Sequence, residues 1–260
     1  MGSCLALARV CICLAATLGA LRAAADSATV AVAANFVPPL EELEKAFERR
    51  GEHELTIVSG STVQLYTQVV NGAPFDVFLS ADGEHVDMLV RAKLADGATR
   101  FTYAIGKLAL FTRDTDKLAP LTLDTLRRTD YRWLAIGNPE LAPYGLAAQQ
   151  TLTKLGLWNA LQPRIVRGEN IAQTFTMAET RNADLAFVSL SQAIAYTGAA
   201  SRLVVVPAEL YDPIRQDAVL LARGSGNAAA RAFLAFLTSA DAVAVIERFG
   251  YAAPGAAHGP

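Results

Sequence analysis

The chain has only three cysteines in 260 residues, Cys4, Cys11 and Cys13, and all of them fall within its first 25 positions. That segment reads as an export signal: Arg9 precedes an apolar run from Val10 to Leu21, and Ala23-Ala24-Ala25 supplies the small residues a signal peptidase needs before Asp26. The apolar run is shorter than the ~20 residues of a membrane span. Neither Cys11 nor Cys13 has the small-residue context of a lipid-anchored cysteine. The mature chain is therefore expected to hold no disulfide, no thiolate nucleophile and no cysteine metal site. Histidine is nearly as scarce: His53, His85 and His258 stand far apart, without metal-ligand spacing. Positive charge is also short. Without Arg9 and Arg22 the mature chain carries 21 basic against 25 acidic residues, a formal charge of −4. With no basic tail or stripe, nucleic acid is excluded as a partner.

Hydrophobic residues make up 52% of the chain, so one large core or two modest ones can form. The most informative stretch is Ser59-Gly60-Ser61-Thr62-Val63-Gln64, where the apolar run Leu55 to Val58 gives way to small hydroxyl residues and then to a helical pattern. A helix start has unpaired N–H groups and partial positive charge, so such a junction can seat an oxyanion without a charged side chain. Ser and Thr also precede helices as ordinary caps, and both readings stand at this point.

Strand and helix patterns alternate along the chain. Thr29 to Ala34 reads as a buried strand, and Pro38-Pro39 opens a helix with Leu40, Leu43, Ala46 and Phe47 at helical spacing. Leu55 to Val58 and Asp76 to Leu79 follow as strands, each leading into a helix. Phe101 to Phe111 is too long for one ordinary strand and reads as a crossing into a second region. There the alternation restarts: strands at Trp133 to Ile136, Arg164 to Val166, Leu185 to Val188 and Leu203 to Val206, with helices from Tyr144, Ile171 and Gln192. Ala218 to Ala222 crosses back, the helices Ala228 to Leu237 and Ala240 to Phe249 pack on the first region, and Gly255 to Pro260 frays. The expected fold class is α/β: two lobes, each a mixed, mainly parallel sheet flanked by helices, joined by two crossover strands. Residues 26–106 and 217–260 form lobe I, residues 107–216 lobe II, and residues 1–25 the signal peptide.

In lobe II, Asn138-Pro139-Glu140-Leu141-Ala142-Pro143-Tyr144-Gly145 is a loop stiffened by two prolines and opening a helix at Tyr144. Asn170-Ile171 is a further helix start. By themselves, these are a rigid loop and a capped helix. Together with Ala33-Ala34-Asn35-Phe36, Ser59 to Thr62, Asn71-Gly72-Ala73-Pro74-Phe75-Asp76-Val77-Phe78-Leu79-Ser80-Ala81-Asp82 and Phe101-Thr102-Tyr103-Ala104-Ile105-Gly106-Lys107-Leu108, in this order, the Asn138 to Gly145 loop makes a pattern that resembles the periplasmic molybdate-binding proteins of ABC transporters. The resemblance runs from about Thr29 to Tyr251.

The resemblance implies a periplasmic binding protein, not an enzyme, with no cofactor, that takes molybdate or tungstate as ligand and hands it to a membrane ABC permease, acting as a monomer. It implies a ligand site of Ala34, Asn35, Ser61, Thr62, Tyr144 and Ile171, with Ala34, Tyr144 and Ile171 acting through the main chain. Asn35, Thr62, Tyr144 and Ile171 are metal-binding only in that they hold the oxygens of the molybdenum oxyanion. Another branch of that family has serine at the Asn35 position and tyrosine where this chain has Ser189, so Ser189 carries little weight.

Neutral donors suit a binder that must release a dianion, and a rigid cage can select by size. Lys107 and Arg167 are expected on the rim, and Asp76, Asp82 and Asp184 as loop pins. Competing readings are a binder of sulfate, phosphate or a small organic acid, a sensor lobe for a membrane partner, or a secreted hydrolase using Ser59, Ser61 or Ser80. The last lacks a Gly-x-Ser-x-Gly elbow and a histidine paired with serine.

Overall fold

A computed structural model describes residues 26–51 and 53–253. The expected signal peptide with its cysteines, the frayed end from Gly255 and His258 lie outside the described residues. In chain order the elements are β1 (Asp26–Ala33), α1 (Val37–Glu48), β2 (His53–Gly60), α2 (Thr62–Val70), β3 (Val77–Leu79), α3 (Glu84–Arg91), β4 (Ala95–Gly106), β5 (Leu108–Thr112) and β6 (Leu134–Gly137). They continue with α4 (Pro143–Lys154), α5 (Trp158–Leu161), β7 (Ile165–Gly168), α6 (Ile171–Glu179), β8 (Leu185–Ser189), α7 (Leu190–Ala195), β9 (Arg202–Val205), β10 (Ile214–Leu221), α8 (Ala228–Leu237) and α9 (Ala240–Arg248).

Two five-stranded sheets result, ordered β2-β1-β3-β10-β4 and β7-β6-β8-β5-β9. In the first, β1 runs parallel to β2 and β3, while β10 is antiparallel to β3 and β4. The second repeats the plan, with β6 parallel to β7 and β8, and β5 antiparallel to β8 and β9. Each lobe is thus a mixed, mainly parallel sheet, and the chain passes between the sheets at Lys107 and again before Ile214. The central strands β3, β5, β6 and β8 are buried along their whole length, which is why they read as continuous apolar runs rather than alternating ones.

Each sheet is covered on both faces. In the first lobe Phe36, Leu40, Leu43 and Phe233 pack on one side, and Leu65, Phe78, Val86 and Leu89 on the other. In the second, Leu110, Ile136, Ala148 and Leu152 fill one side, and Phe111, Ala135 and Val188 with Phe175 the other. Two glycines follow helix ends: Gly72 after α2 (φ +84°) and Gly156 after α4 (φ +71°) take the left-handed conformation that glycine adopts without strain.

Both crossing strands extend further than expected. β4 begins at Ala95, not Phe101, and β10 at Ile214, not Ala218. The segment Ala95-Asp96-Gly97-Ala98-Thr99-Arg100 has poor strand propensity, but pairing of Leu220 with Asp96 and Leu221 with Ala95 imposes the extended form. Gln216 and Asp217 interrupt the apolar pattern of β10, and a register shift separates them.

Candidate functional site

The parallel topology sets the ends of β1 and β2 side by side, with Ala33 opposite Gly60. β1 runs into a 3-10 turn, Ala34–Phe36, and β2 into α2. At the start of α2, Ser61 adopts an extended conformation and forms a capping box: its Oγ accepts from Gln64 N (3.3 Å), and its own N–H donates to Gln64 Oε1 (3.2 Å). The Leu65 N–H donates to Ser61 O, and the Val63 N–H reaches across to Leu141 O of the second lobe (3.3 Å). These bonds occupy every first-turn donor of α2 except the Thr62 N–H. The Thr62 hydroxyl accepts from Ala81 N (3.1 Å), which leaves its proton to be donated. Thr62 therefore offers two donors from one buried residue. The cap reading of this stretch is thus met at Ser61, and it leaves the anion-seat reading open.

In the second lobe, α4 opens with Pro143, which has no N–H, while the N–H groups of Gly145 and Leu146 both donate to Ala142 O. The Tyr144 N–H is what remains of that turn. Gly145 is required here because a Cβ at this position would lie 2.3 Å from Gly137 O. α6 is capped by Asn170, whose side chain accepts from Gln173 N, and Ile171 holds its first helical N–H.

All six residues expected from the sequence, Ala34, Asn35, Ser61, Thr62, Tyr144 and Ile171, line one small cavity of about 10 Å³. Gly60, Ala81 and Pro143 share the wall, and no lining residue is a lysine, arginine, histidine or carboxylate. Lys107 and Arg167 are exposed and outside the lining. Asp76 accepts from Thr29 N, Asp82 from His85 N and Asp184 from Arg132 N and Trp133 N, as loop pins. Ser189 is buried away from the cavity, where it caps α7 through Gln192 N.

The Asn35 side chain faces away from the expected role. Its Nδ2 donates to Gln216 Oε1 (2.8 Å) and Tyr251 OH (3.0 Å), which uses both amide hydrogens. Asn35 O in turn accepts from Tyr251 OH and, across the lobes, from Ser191 Oγ (2.7 Å). Gln216 Oε1 also accepts from Tyr103 OH (2.9 Å), and Gln216 Nε2 donates to Tyr144 OH (3.1 Å). Burial pushes the Tyr103 and Tyr144 phenols well above the ordinary range. Burial also raises Tyr251, to about 12, against the lowering effect of hydrogen bonds with Ser191 and Asn35. All three remain neutral donors near pH 7. Sequence reasoning missed Ala81, Gln216, Tyr251, Ser191 and Tyr103; the one signal was the polar pair Gln216-Asp217 inside an apolar strand.

The candidate serine nucleophiles lack a base. Ser59 is exposed, Ser61 is held by its cap, and Ser80 Oγ donates to Asp82 Oδ1 rather than to a histidine. His85 Nδ1 lies 2.9 Å from Asp82 Oδ2, a hydrogen bond that raises the His85 pKa against the opposing effect of burial.

Residues 28–252 match the family described as bacterial extracellular solute-binding protein. The chain is similar to the molybdate-binding protein ModA of Rhodobacter capsulatus, 42% identical over 89% of this chain and 90% of that protein. ModA of Azotobacter vinelandii is 40% identical, over 94% of this chain and 97% of that protein. The solved Azotobacter vinelandii periplasmic molybdate-binding protein superposes with a TM-score of 0.81, at 38% identity, covering 87% of this chain and 99% of that one.

Proposed function

We propose, from the premise that the chain belongs to the bacterial extracellular solute-binding proteins, that it captures molybdate or tungstate in the periplasm and delivers it to a membrane ABC permease. It does so as a monomer without a resident cofactor, and the oxyanion is cargo. The observation that carries this reading is the convergence of Thr62, Tyr144 and Ile171, from helix starts on both lobes, on one cavity without a formal charge.

Three N–H groups at helix starts and the Thr62 hydroxyl present hydrogen to the anion, and the Ser61 hydroxyl keeps its own proton free. Asn35 contributes backbone only, because its amide is spent on Gln216 and Tyr251. A cage with donors only favours an anion that carries no proton at neutral pH, and a rigid cage discriminates tetrahedral oxyanions by size. Donors from both lobes meet one ligand only when the lobes come together, so binding favours closure. The relatives of this chain are solute-binding proteins rather than enzymes, and none of Ser59, Ser61 and Ser80 is paired with a histidine, so the hydrolase reading falls away.

The test is the melting temperature of the chain from Asp26 onward with molybdate, tungstate, sulfate and phosphate in separate wells. Ligand at one hundred times its dissociation constant stabilises the native state by ~2.7 kcal/mol. A shift with molybdate and tungstate alone supports the reading. A shift with sulfate or phosphate instead overturns the ligand, and no shift with any of them overturns the oxyanion reading and reopens other solutes and the sensor and enzyme readings.

A further inference from the structure

Gln216 lies behind the cavity and does not line it, yet its amide touches a binding loop of each lobe. It is fully buried on β10, the strand by which the chain returns to the first lobe. Its Oε1 accepts from Asn35 Nδ2, at the end of β1, and from Tyr103 OH on β4. Its Nε2 donates to Tyr144 OH, at the start of α4 in the other lobe. The adjoining register shift is the kind of irregularity that re-aims a strand side chain. At the end of the other crossing strand, paired with Ile214, Gly106 leaves bare backbone where a Cβ would stand 2.1 Å from Tyr144 OH and 2.7 Å from Gln216 Nε2. Both crossings thus meet at this amide. Tyr251 and Ser191 close the arrangement, with Tyr251 OH 3.0 Å from Ser191 Oγ and both on Asn35 O.

Resting on the oxyanion reading above, we propose that Gln216 is a positioning residue for anion binding: it registers the Asn35 loop of one lobe against the Tyr144 helix start of the other, and so sets how long the closed cleft holds its ligand. Each hydrogen-bonding direction of the amide is used. A carboxamide can accept two bonds from the first lobe and donate one to the second; no apolar or singly polar side chain of that size does both. An unserved partner in this buried place carries the full desolvation penalty, so Gln216 favours the one arrangement in which all partners are met.

The experiment is calorimetric titration of molybdate into four proteins: wild type, Gln216→Leu, Tyr144→Phe and the double variant, with ligand-free melting curves and stopped-flow rates for each. Gln216→Leu is expected to raise Kd roughly tenfold to a hundredfold, chiefly through faster release. Combined with Tyr144→Phe, it should cost clearly less than the product of the single losses, because the two share one bond. A lower ligand-free melting point with Kd within about twofold of wild type would overturn the proposal, as would losses that multiply.

Gln216→Glu covers the case in which the leucine variant fails to fold. A protonated carboxyl accepts through one oxygen and donates through the other, like the amide, whereas the ionised form only accepts. The groups facing it are the Asn35 amide and the neutral phenols of Tyr103, Tyr144 and Tyr251; Asp217, the next residue along β10, is paired with Arg100 and Thr102. Its Kd for molybdate should therefore rise more than about tenfold between pH 6 and pH 8.5 while that of wild type stays flat. A flat profile for the variant would overturn the positioning role. Wild type that binds neither molybdate nor tungstate would overturn the ligand reading, and this inference with it; normal wild-type binding with unaffected variants overturns the inference alone.

Discussion

The two lobes share one sheet plan but serve the cavity by different chemistry. The first lobe offers a side chain as well as backbone: Thr62 has a hydroxyl fixed by Ala81 N and an N–H that the capping box leaves over. The second offers backbone alone, at Tyr144 and Ile171, where Pro143 and Asn170 set the helix starts. On the proposed reading, the identity of the residue matters in the first lobe; in the second, what matters is that a helix begins there and that its backbone can come close.

The sharpest way to break the second lobe's half of this arrangement is therefore to move its backbone. Gly145→Ala places a methyl 2.3 Å from Gly137 O, where neither partner is a flexible side chain. It should raise Kd for molybdate by more than about a hundredfold and lower the melting temperature, since overpacking of this kind costs ~1 to 3 kcal/mol or more. Retention of wild-type affinity would show that the α4 start is not part of the site. Next in size is the first lobe's side chain. Thr62→Val keeps the shape and removes the hydroxyl, and should weaken binding by ~1.5 to 3 kcal/mol, the range for a hydrogen bond to a charged group. Thr62→Ser should recover most of that loss in the same titration.

Ile171→Val sharpens the contrast from the other side. A donor supplied by the main chain survives this change, so Kd should move less than about threefold, within the ~0.5 to 1.5 kcal/mol that the truncation costs the fold. A loss equal to that of Thr62→Val would end the distinction between the lobes. The smallest effect concerns the loop that holds Ala81. Asp82 raises the pKa of half-buried His85, so this pair stabilises the protein fully below the unfolded histidine value near ~6.5 and less as pH rises through the folded value. The melting temperature of wild type should fall slightly between pH 6 and pH 8 relative to His85→Gln; an identical slope in both would remove this link.

This contrast also explains what could be read before the structure. Helix starts were legible at Ser61, Tyr144 and Ile171 because proline, serine and asparagine punctuate the chain for local reasons. The lobes were legible from repeated strand and helix periods, and Lys107 fell within the run Phe101 to Phe111 that marked the first crossing. The direction of a side chain was not legible. Asn35 matched a binding position by type, but its partners Gln216 and Tyr251 lie 181 and 216 residues away, and no local pattern specifies such pairing. The same holds for Ala95 to Arg100, which become strand only because β10 lies beside them. Tyr144 illustrates both sides: its place at a helix start was evident, while its phenol accepts from Gln216, so Tyr144→Phe is expected to cost more than a backbone role alone implies.

The most direct test is to crystallise the chain from Asp26 onward with tungstate and locate tungsten by its anomalous signal. A single peak inside the cavity, with oxygens within hydrogen-bonding distance of the Thr62 hydroxyl and N–H and of the Tyr144 and Ile171 N–H groups, is the predicted result. A peak beside Lys107 or Arg167, or oxygens held by one lobe only, would contradict it.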